Sequence, residues 1–166
     1  YYWANGNREE RIYADGVEQG PATYYFLADN QWKGDKQEWI YVDGVKEGPA
    51  TYYFLADNQW KGDREERNYV DGVRQGAATY YFDEGDIEEW IYVDGVKEGP
   101  ATYYWADGDR EESIYVDGVR QGPATFYFLA DNQWKGDKEE SIYVDGVTQG
   151  PATYYFLADN QWKGDR

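Results

Sequence analysis

One spacing constrains this chain more than any other feature. The aromatic triplet Tyr24-Tyr25-Phe26 returns in the same or a closely related form from Tyr52, Tyr80, Tyr103, Phe126 and Tyr154, and Tyr1-Tyr2-Trp3 opens the chain. Successive triplets lie 23, 28, 28, 23, 23 and 28 residues apart. Gly-Pro-Ala-Thr precedes each triplet after the first, written once as Gly-Ala-Ala-Thr from Gly76, and Asp-Gly-Val precedes that at a fixed offset. Self-similarity at this period marks an array whose units bury their faces against one another. The chain reads as one array with units 1–23, 24–51, 52–79, 80–102, 103–125 and 126–153 and a half-unit 154–166. Function is expected in a repeated surface, not in a unique pocket.

The unit itself spells a hairpin. Ser113-Ile114-Tyr115-Val116 is β-branched and aromatic, and Asp117-Gly118 supplies the residues that a two-residue type I′ turn demands. That turn sets Val116 opposite Val119 and Ile114 opposite Gln121. Period-two alternation then places Tyr115, Gly122, Ala124, Phe126 and Phe128 on one face, with Ile114, Val116, Val119, Thr125 and Tyr127 on the other. Both faces are partly apolar. Gly and Pro interrupt every stretch long enough for a helical period, so no helix is expected. The predicted fold is all-β: about thirteen short strands in a meander, forming an elongated, twisted, single-layer sheet. Each triplet is read as one strand of an aromatic ladder, to which Tyr13, Tyr41, Tyr69, Tyr92, Tyr115 and Tyr143 are also assigned.

The spacing Tyr41-x-x-Gly44-x-x-x-Gly48-x-x-x-Tyr52-x-Phe54 resembles the MORN repeat, in the variant form found in many bacterial proteins, and it recurs six times from the tyrosines just named. The resemblance implies β-hairpin units of about 23 residues and roles in scaffolding, dimerisation, filament building and, in some proposals, phospholipid contact. Some positions depart from the family pattern. Ala50 stands where a second glycine is usual, Glu47 or Gln stands where a histidine is frequent, and the long connections are additional.

Composition narrows the chemistry. Sixteen basic against thirty-three acidic side chains give a net charge of −17, which repels nucleic acid and anionic headgroups. Cys and His are absent, so a disulfide framework, a thiolate nucleophile and the usual zinc sites are excluded. Only Ser113 and Ser141 represent serine, which leaves no Ser or Cys triad. Carboxylate pairs such as Glu65-Glu66 and Glu111-Glu112 are adjacent and repeated, as a solvated strand edge is. They do not resemble two differently tuned groups flanking a cleft. No run approaches the length of a membrane-spanning helix, and no signal peptide stands at Tyr1, so the chain is read as a mature or excised piece.

The difference between the two intervals lies wholly after the triplet. A short connection reads Ala106-Asp107-Gly108-Asp109, whereas a long one runs from Leu27 to Asp35 and recurs unchanged at Leu55–Asp63, Leu129–Asp137 and Leu157–Asp165. Each long connection carries one tryptophan, Trp32, Trp60, Trp134 or Trp162. Beside these stand Asp29 and Asn30, Asp57 and Asn58, Asp131 and Asn132, and Asp159 and Asn160. Asp29, Asn30 and Asp35 supply oxygens for a Ca²⁺ ion, as do their equivalents, although the spacing is not that of an EF-hand; turn formation accounts for the same residues. A flat ring beside amides and carboxylates also suits a sugar, and repetition would amplify weak binding. The alternative is that Leu27 and Trp32 pack onto the sheet or against another chain.

The leading expectation is a non-enzymatic, self-assembling β-repeat scaffold or filament subunit that acts through strand edges and Trp-bearing loops, without a cofactor. The alternatives are a multivalent glycan-binding surface adhesin and a bacterial immunity or antitoxin-type protein. Expected partners are further copies of the chain, glycans or another protein, with neither nucleic acid nor membrane insertion. The expected location is extracellular or at the cell surface.

Overall fold

The computed structural model of the chain describes residues 1–157. Eighteen strands run in sequence. The first hairpin region comprises β1 (Arg8–Glu10), β2 (Tyr13–Ala14), β3 (Val17–Glu18) and β4 (Gly20–Tyr25). Then come β5 (Lys36–Val42), β6 (Val45–Lys46), β7 (Gly48–Tyr53), β8 (Arg64–Val70), β9 (Val73–Arg74) and β10 (Gly76–Tyr81). The chain continues through β11 (Ile87–Val93), β12 (Val96–Lys97), β13 (Gly99–Tyr104), β14 (Arg110–Val116), β15 (Val119–Arg120), β16 (Gly122–Tyr127), β17 (Lys138–Val144) and β18 (Val147–Tyr155). Sixteen of them form one antiparallel sheet in which the long strands follow chain order, β1-β4-β5-β7-β8-β10-β11-β13-β14-β16-β17-β18. β2 and β3 pair separately. The sheet does not close into a barrel, and no helix occurs among the described residues. Eleven steps of about 4.8 Å carry the path over roughly 50 Å.

Each unit turns at Asp-Gly as its sequence demands. Asp43 has φ 50° and Gly44 φ 80°, and all six Asp-Gly pairs share this doubly positive signature of a type I′ turn. Val116 pairs with Val119, and the Gln121 N–H donates to Ile114 O at 2.9 Å, so the predicted register holds. The expected count of thirteen strands falls short of eighteen for a physical reason. In the second unit the hairpin register Tyr41↔Lys46 gives way to Glu38↔Thr51, a shift of two residues that sets Gly48-Pro49-Ala50 against Trp39 alone. This bulge splits the returning strand into a two-residue and a six-residue piece and frees the second to pair with the next unit, Ala50↔Arg67. Gly48 adopts φ 73° at the break, and Pro49 interrupts a ladder that is already broken there.

A two-residue shift preserves parity, so the predicted faces survive the bulge, but they are not equally apolar. The face bearing Tyr115 and Ala124 is shielded: the alanines of the Gly-Pro-Ala-Thr or Gly-Ala-Ala-Thr segments at Ala22, Ala50, Ala78, Ala101 and Ala124 are buried, as are Trp39 and Trp90. Small side chains there let the large neighbouring rings lie down over the sheet, which gives a single layer a thin core. The opposite, outer face keeps its valines and several isoleucines exposed.

The aromatic ladder runs through the triplets, each of which supplies one strand of it as expected, and leaves out the tyrosines also assigned to it. Its rungs are the first and third members of each triplet, in an unbroken series Tyr24, Phe26, Tyr52, Phe54, Tyr80, Phe82, Tyr103, Trp105, Phe126, Phe128, Tyr154 and Phe156. Neighbouring ring centroids lie 4.3–5.7 Å apart. Edge-to-face and tilted pairs of this kind contribute about 0.5–1.5 kcal/mol each beyond their buried area. The series assigned from alternation alone is interleaved instead with cations. Lys46 lies over Tyr69, Arg74 over Tyr92, Lys97 over Tyr115 and Arg120 over Tyr143. Tyr13, in the first unit, is 55% exposed.

Candidate functional site

Three surfaces emerge from this architecture: the connections at one end of the strands, the polar network on the shielded face, and the outer face.

The connections are joined by an aspartate. Asp35 is 1% exposed; its Oδ1 accepts the N–H groups of Leu55 and Ala56 at 2.8 and 2.7 Å, and its Oδ2 accepts the Tyr52 hydroxyl at 2.7 Å. Asp63, Asp86 and Asp137 repeat the arrangement toward Tyr80, Tyr103 and Tyr154. Asp109 holds Leu129 and Ala130, with Phe126 in place of the tyrosine, and Asn7 plays the same part toward Leu27, Ala28 and Tyr24. Each carboxylate thus nails one connection to the next, about twenty residues on. Burial first, and then the acidic partner, pushes the Tyr52, Tyr80 and Tyr103 hydroxyls above the ordinary phenol range, and that of Tyr154 up to about 12. Asp35, expected to offer oxygens to calcium, has both of them engaged within the fold. The signal was present in the sequence, since an Asp or Asn follows the glycine in short and long connections alike.

The remaining loop residues are placed as follows. Asp29 meets Lys33 at 3.3 Å, Asp57 meets Lys61 at 3.2 Å and Asp131 meets Lys135 at 3.3 Å, all exposed. Asn30, Asn58 and Asn132 each use Oδ1 to accept the N–H of the tryptophan two residues on, a local turn-forming bond. Among the described residues no group of three acidic side chains is placed to hold a metal. Trp32 and Trp60 stack on each other, centroids 5.6 Å apart and planes 18° apart, and the Asn58 amide donates to Gln31 O at 2.9 Å. Consecutive long connections therefore lean together as a pair. Trp134 stands in the third long connection, whereas Trp162, Asp159 and Asn160 lie outside the described residues.

On the shielded face an acid–base network follows the sheet. Tyr115 donates to Glu88 at 3.0 Å, and Arg120 bridges Glu111 at 2.8 Å and Glu88 at 3.3 Å. Tyr92 reaches Glu65 at 3.1 Å. A tyrosine of one unit thus binds a glutamate of the unit before it. Adjacent glutamates divide between the faces, contrary to a uniformly solvated edge: Glu65 is buried against Arg67 at 2.9 Å, while Glu66 pairs on the outer face with Arg64 at 3.2 Å.

At the Asp-Gly end of the outer face lies an aliphatic stripe. The valines that flank the turns, from Val17 to Val147, are 40–60% exposed, and Ile12, Ile91, Ile114 and Ile142 continue the stripe along the first strands. Successive turns are locked to each other beneath it: the Gly72 N–H donates to Lys46 O, and Glu47 Oε2 accepts the Asp71 N–H, both at 3.0 Å.

Comparison with known families agrees with this geometry. The MORN repeat model matches residues 68–87 and 91–110. These two stretches match the MORN repeat pattern. Both run through an Asp-Gly hairpin and an aromatic triplet into a short connection, ending at Ile87 and Arg110. Long connections follow other units that share the same hairpin register, which makes them additions to the MORN pattern. No curated protein matches the chain significantly. MORN repeats point to an interaction or scaffold role that is generally non-enzymatic.

Proposed function

We propose that the protein is a non-enzymatic scaffold whose copies associate with one another, laterally through the aliphatic stripe and end to end through strand edges. The stripe is the observation that carries this reading. Fifteen exposed Val and Ile side chains in a regular row make a contiguous apolar surface of the kind that marks protein contacts, on a chain whose −17 charge otherwise favours dispersal. Among the described residues β18 lies at the edge of the sheet, and the pairing of β16 with β17 gives the register in which a further strand would add to it, which supports the second mode. The stacked tryptophans favour packing over the glycan-binding alternative, since Trp32 and Trp60 cover one face of each other's ring.

Light scattering across a concentration series, with electron microscopy, tests the proposal. Multimers are expected for the parent chain. Val73→Lys with Val96→Lys, two exposed positions, should reduce them without a change in circular dichroism. A parent chain that stays strictly monomeric at high concentration would refute it.

A further inference from the structure

The shielded-face network breaks its own pattern at one place. Five units carry a glutamate there, Glu9, Glu65, Glu88, Glu111 and Glu139, but the second carries Gln37. Two positions along the next first strand, where Trp39, Trp90, Ser113 and Ser141 stand in other units, this region has Arg67. Arg11 is the other arginine at that position, and it has two carboxylates, Glu9 and Glu18; Arg67 has Glu65 alone. Lys46 and Arg74 make no ion pair with any described residue. Three cations, Lys46, Arg67 and Arg74, therefore lie near one another with two carboxylates beside them, Glu65 paired to Arg67 and Glu9 paired to Arg11. Burial, and after it the nearby Arg67 and Arg74, push the Lys46 ammonium below its ordinary range.

Beside this cluster is a recess of about 350 Å³. The rings of Phe26, Trp32, Tyr52 and Phe54 line it together with Gln37, Arg67, Arg74 and the Glu65 carboxylate that pairs with Arg67; Lys46 stands outside the lining. Arg67 is only 9% exposed, and its Nε, like that of Arg11, is buried with no acceptor; the aromatic recess is what sets Arg67 apart. A positive cluster with unmet hydrogen-bond capacity calls for an anion, and a guanidinium pair suits a carboxylate. The aromatic lining calls for a flat apolar body.

We propose that this recess binds a small organic anion, a planar ring bearing a carboxylate, with Arg67 and Arg74 pairing the carboxylate and the aromatic lining packing the ring. The site is independent of the assembly surfaces, which lie on the opposite face and at the edges.

The test is calorimetric titration of the full chain with benzoate, with benzamide as its uncharged counterpart and inorganic phosphate as an anion without a ring. Benzoate should bind at least tenfold more tightly than either control. Gln37→Glu, which restores the residue found in the other five units, should weaken benzoate binding at least tenfold by neutralising the cluster from within. Arg74→Thr, which introduces the residue that already stands at the equivalent position, Thr148, should do the same by removing a cation. Circular dichroism checks that both variants keep the fold. The proposal is overturned if benzoate shows no saturable binding, if either control binds as tightly, or if a folded variant binds benzoate as the parent does.

Discussion

Replacing Asp35 separates an internal clamp from a free surface ligand. Asp35→Ala strips the acceptor from two N–H groups and one hydroxyl held at 2.7–2.8 Å in a nearly closed environment. A buried donor left without a partner costs about 1–3 kcal/mol, so three donors, less what local relaxation recovers, amount to about 4 kcal/mol. For a chain of this size each kcal/mol lowers the melting temperature by about 2–4 °C, which predicts a loss of about 8–16 °C. Asp35→Asn should behave differently. Asn7 already occupies the equivalent position, with Oδ1 accepting the Leu27 and Ala28 N–H groups and Nδ2 donating to the Tyr24 hydroxyl at 2.8 Å. The asparagine variant can copy that arrangement if the Tyr52 hydroxyl becomes an acceptor, at a cost of about 1 kcal/mol. Thermal and urea unfolding of both variants would decide the matter. Because units in an array are stabilised by their neighbours, the alanine variant should also unfold in two steps, the break falling between the units that Asp35 joins. An alanine variant within about 1 kcal/mol of the parent, or an asparagine variant as damaged as the alanine one, would refute the clamp.

Further predictions concern the connections. Gly62→Ala should destabilise far more than Gly85→Ala. Both glycines have φ near 100°, but a Cβ at Gly62 would collide with the Asp83 side chain, whereas one at Gly85 would meet only the Ala106 methyl at 3.4 Å; melting temperatures compare the two. Trp32→Ala should remove the exciton signal of the Trp32–Trp60 stack from the circular dichroism spectrum while costing only about 1 kcal/mol of stability, as expected of a ring pair at the surface. Stability should fall in alkali. A hydroxyl with a higher pKa in the folded than in the unfolded chain contributes stability that is complete below the unfolded value near 10 and lost as pH rises through the folded value. For Tyr154 that window is pH 10 to about 12, and for Tyr52, Tyr80 and Tyr103 it extends higher. Tyrosinate absorbance should therefore lag behind that of free tyrosine until the sheet opens.

The hairpins were legible because their determinants are local. Asp-Gly needs nothing beyond its own two residues to adopt φ of 50° and about 80°, and the Val116–Val119 pair follows from it. The bulge was not legible. Gly48-Pro49-Ala50 reads as an extended run, and only pairing with the following unit pulls it from its own hairpin. The same limit explains the tyrosines misassigned to the ladder: Tyr41 and Tyr69 lie on the shielded face as alternation predicts, but Lys46 occupies the space between units, a contact set by sheet geometry. Asp35 looked like part of a ligand cluster because Asp29 and Asn30 are near it in sequence. Its partners are about twenty residues away, and the carboxylate turns toward them.

An array of this kind separates structure from function by which positions repeat. The clamp aspartates, bulge alanines and turn glycines recur because each solves the same joining problem at every step, and altering one breaks a joint. Other positions escape that demand. Gln37 and Arg67 alter the charge of the shielded face while the register around them, Tyr52↔Gln37 and Ala50↔Arg67, stays that of every other unit. A change that leaves the joint intact acts through what it does to the surface. The recess between Trp32 and Arg74 lies where two such changes meet, and a long-connection tryptophan closes its other end.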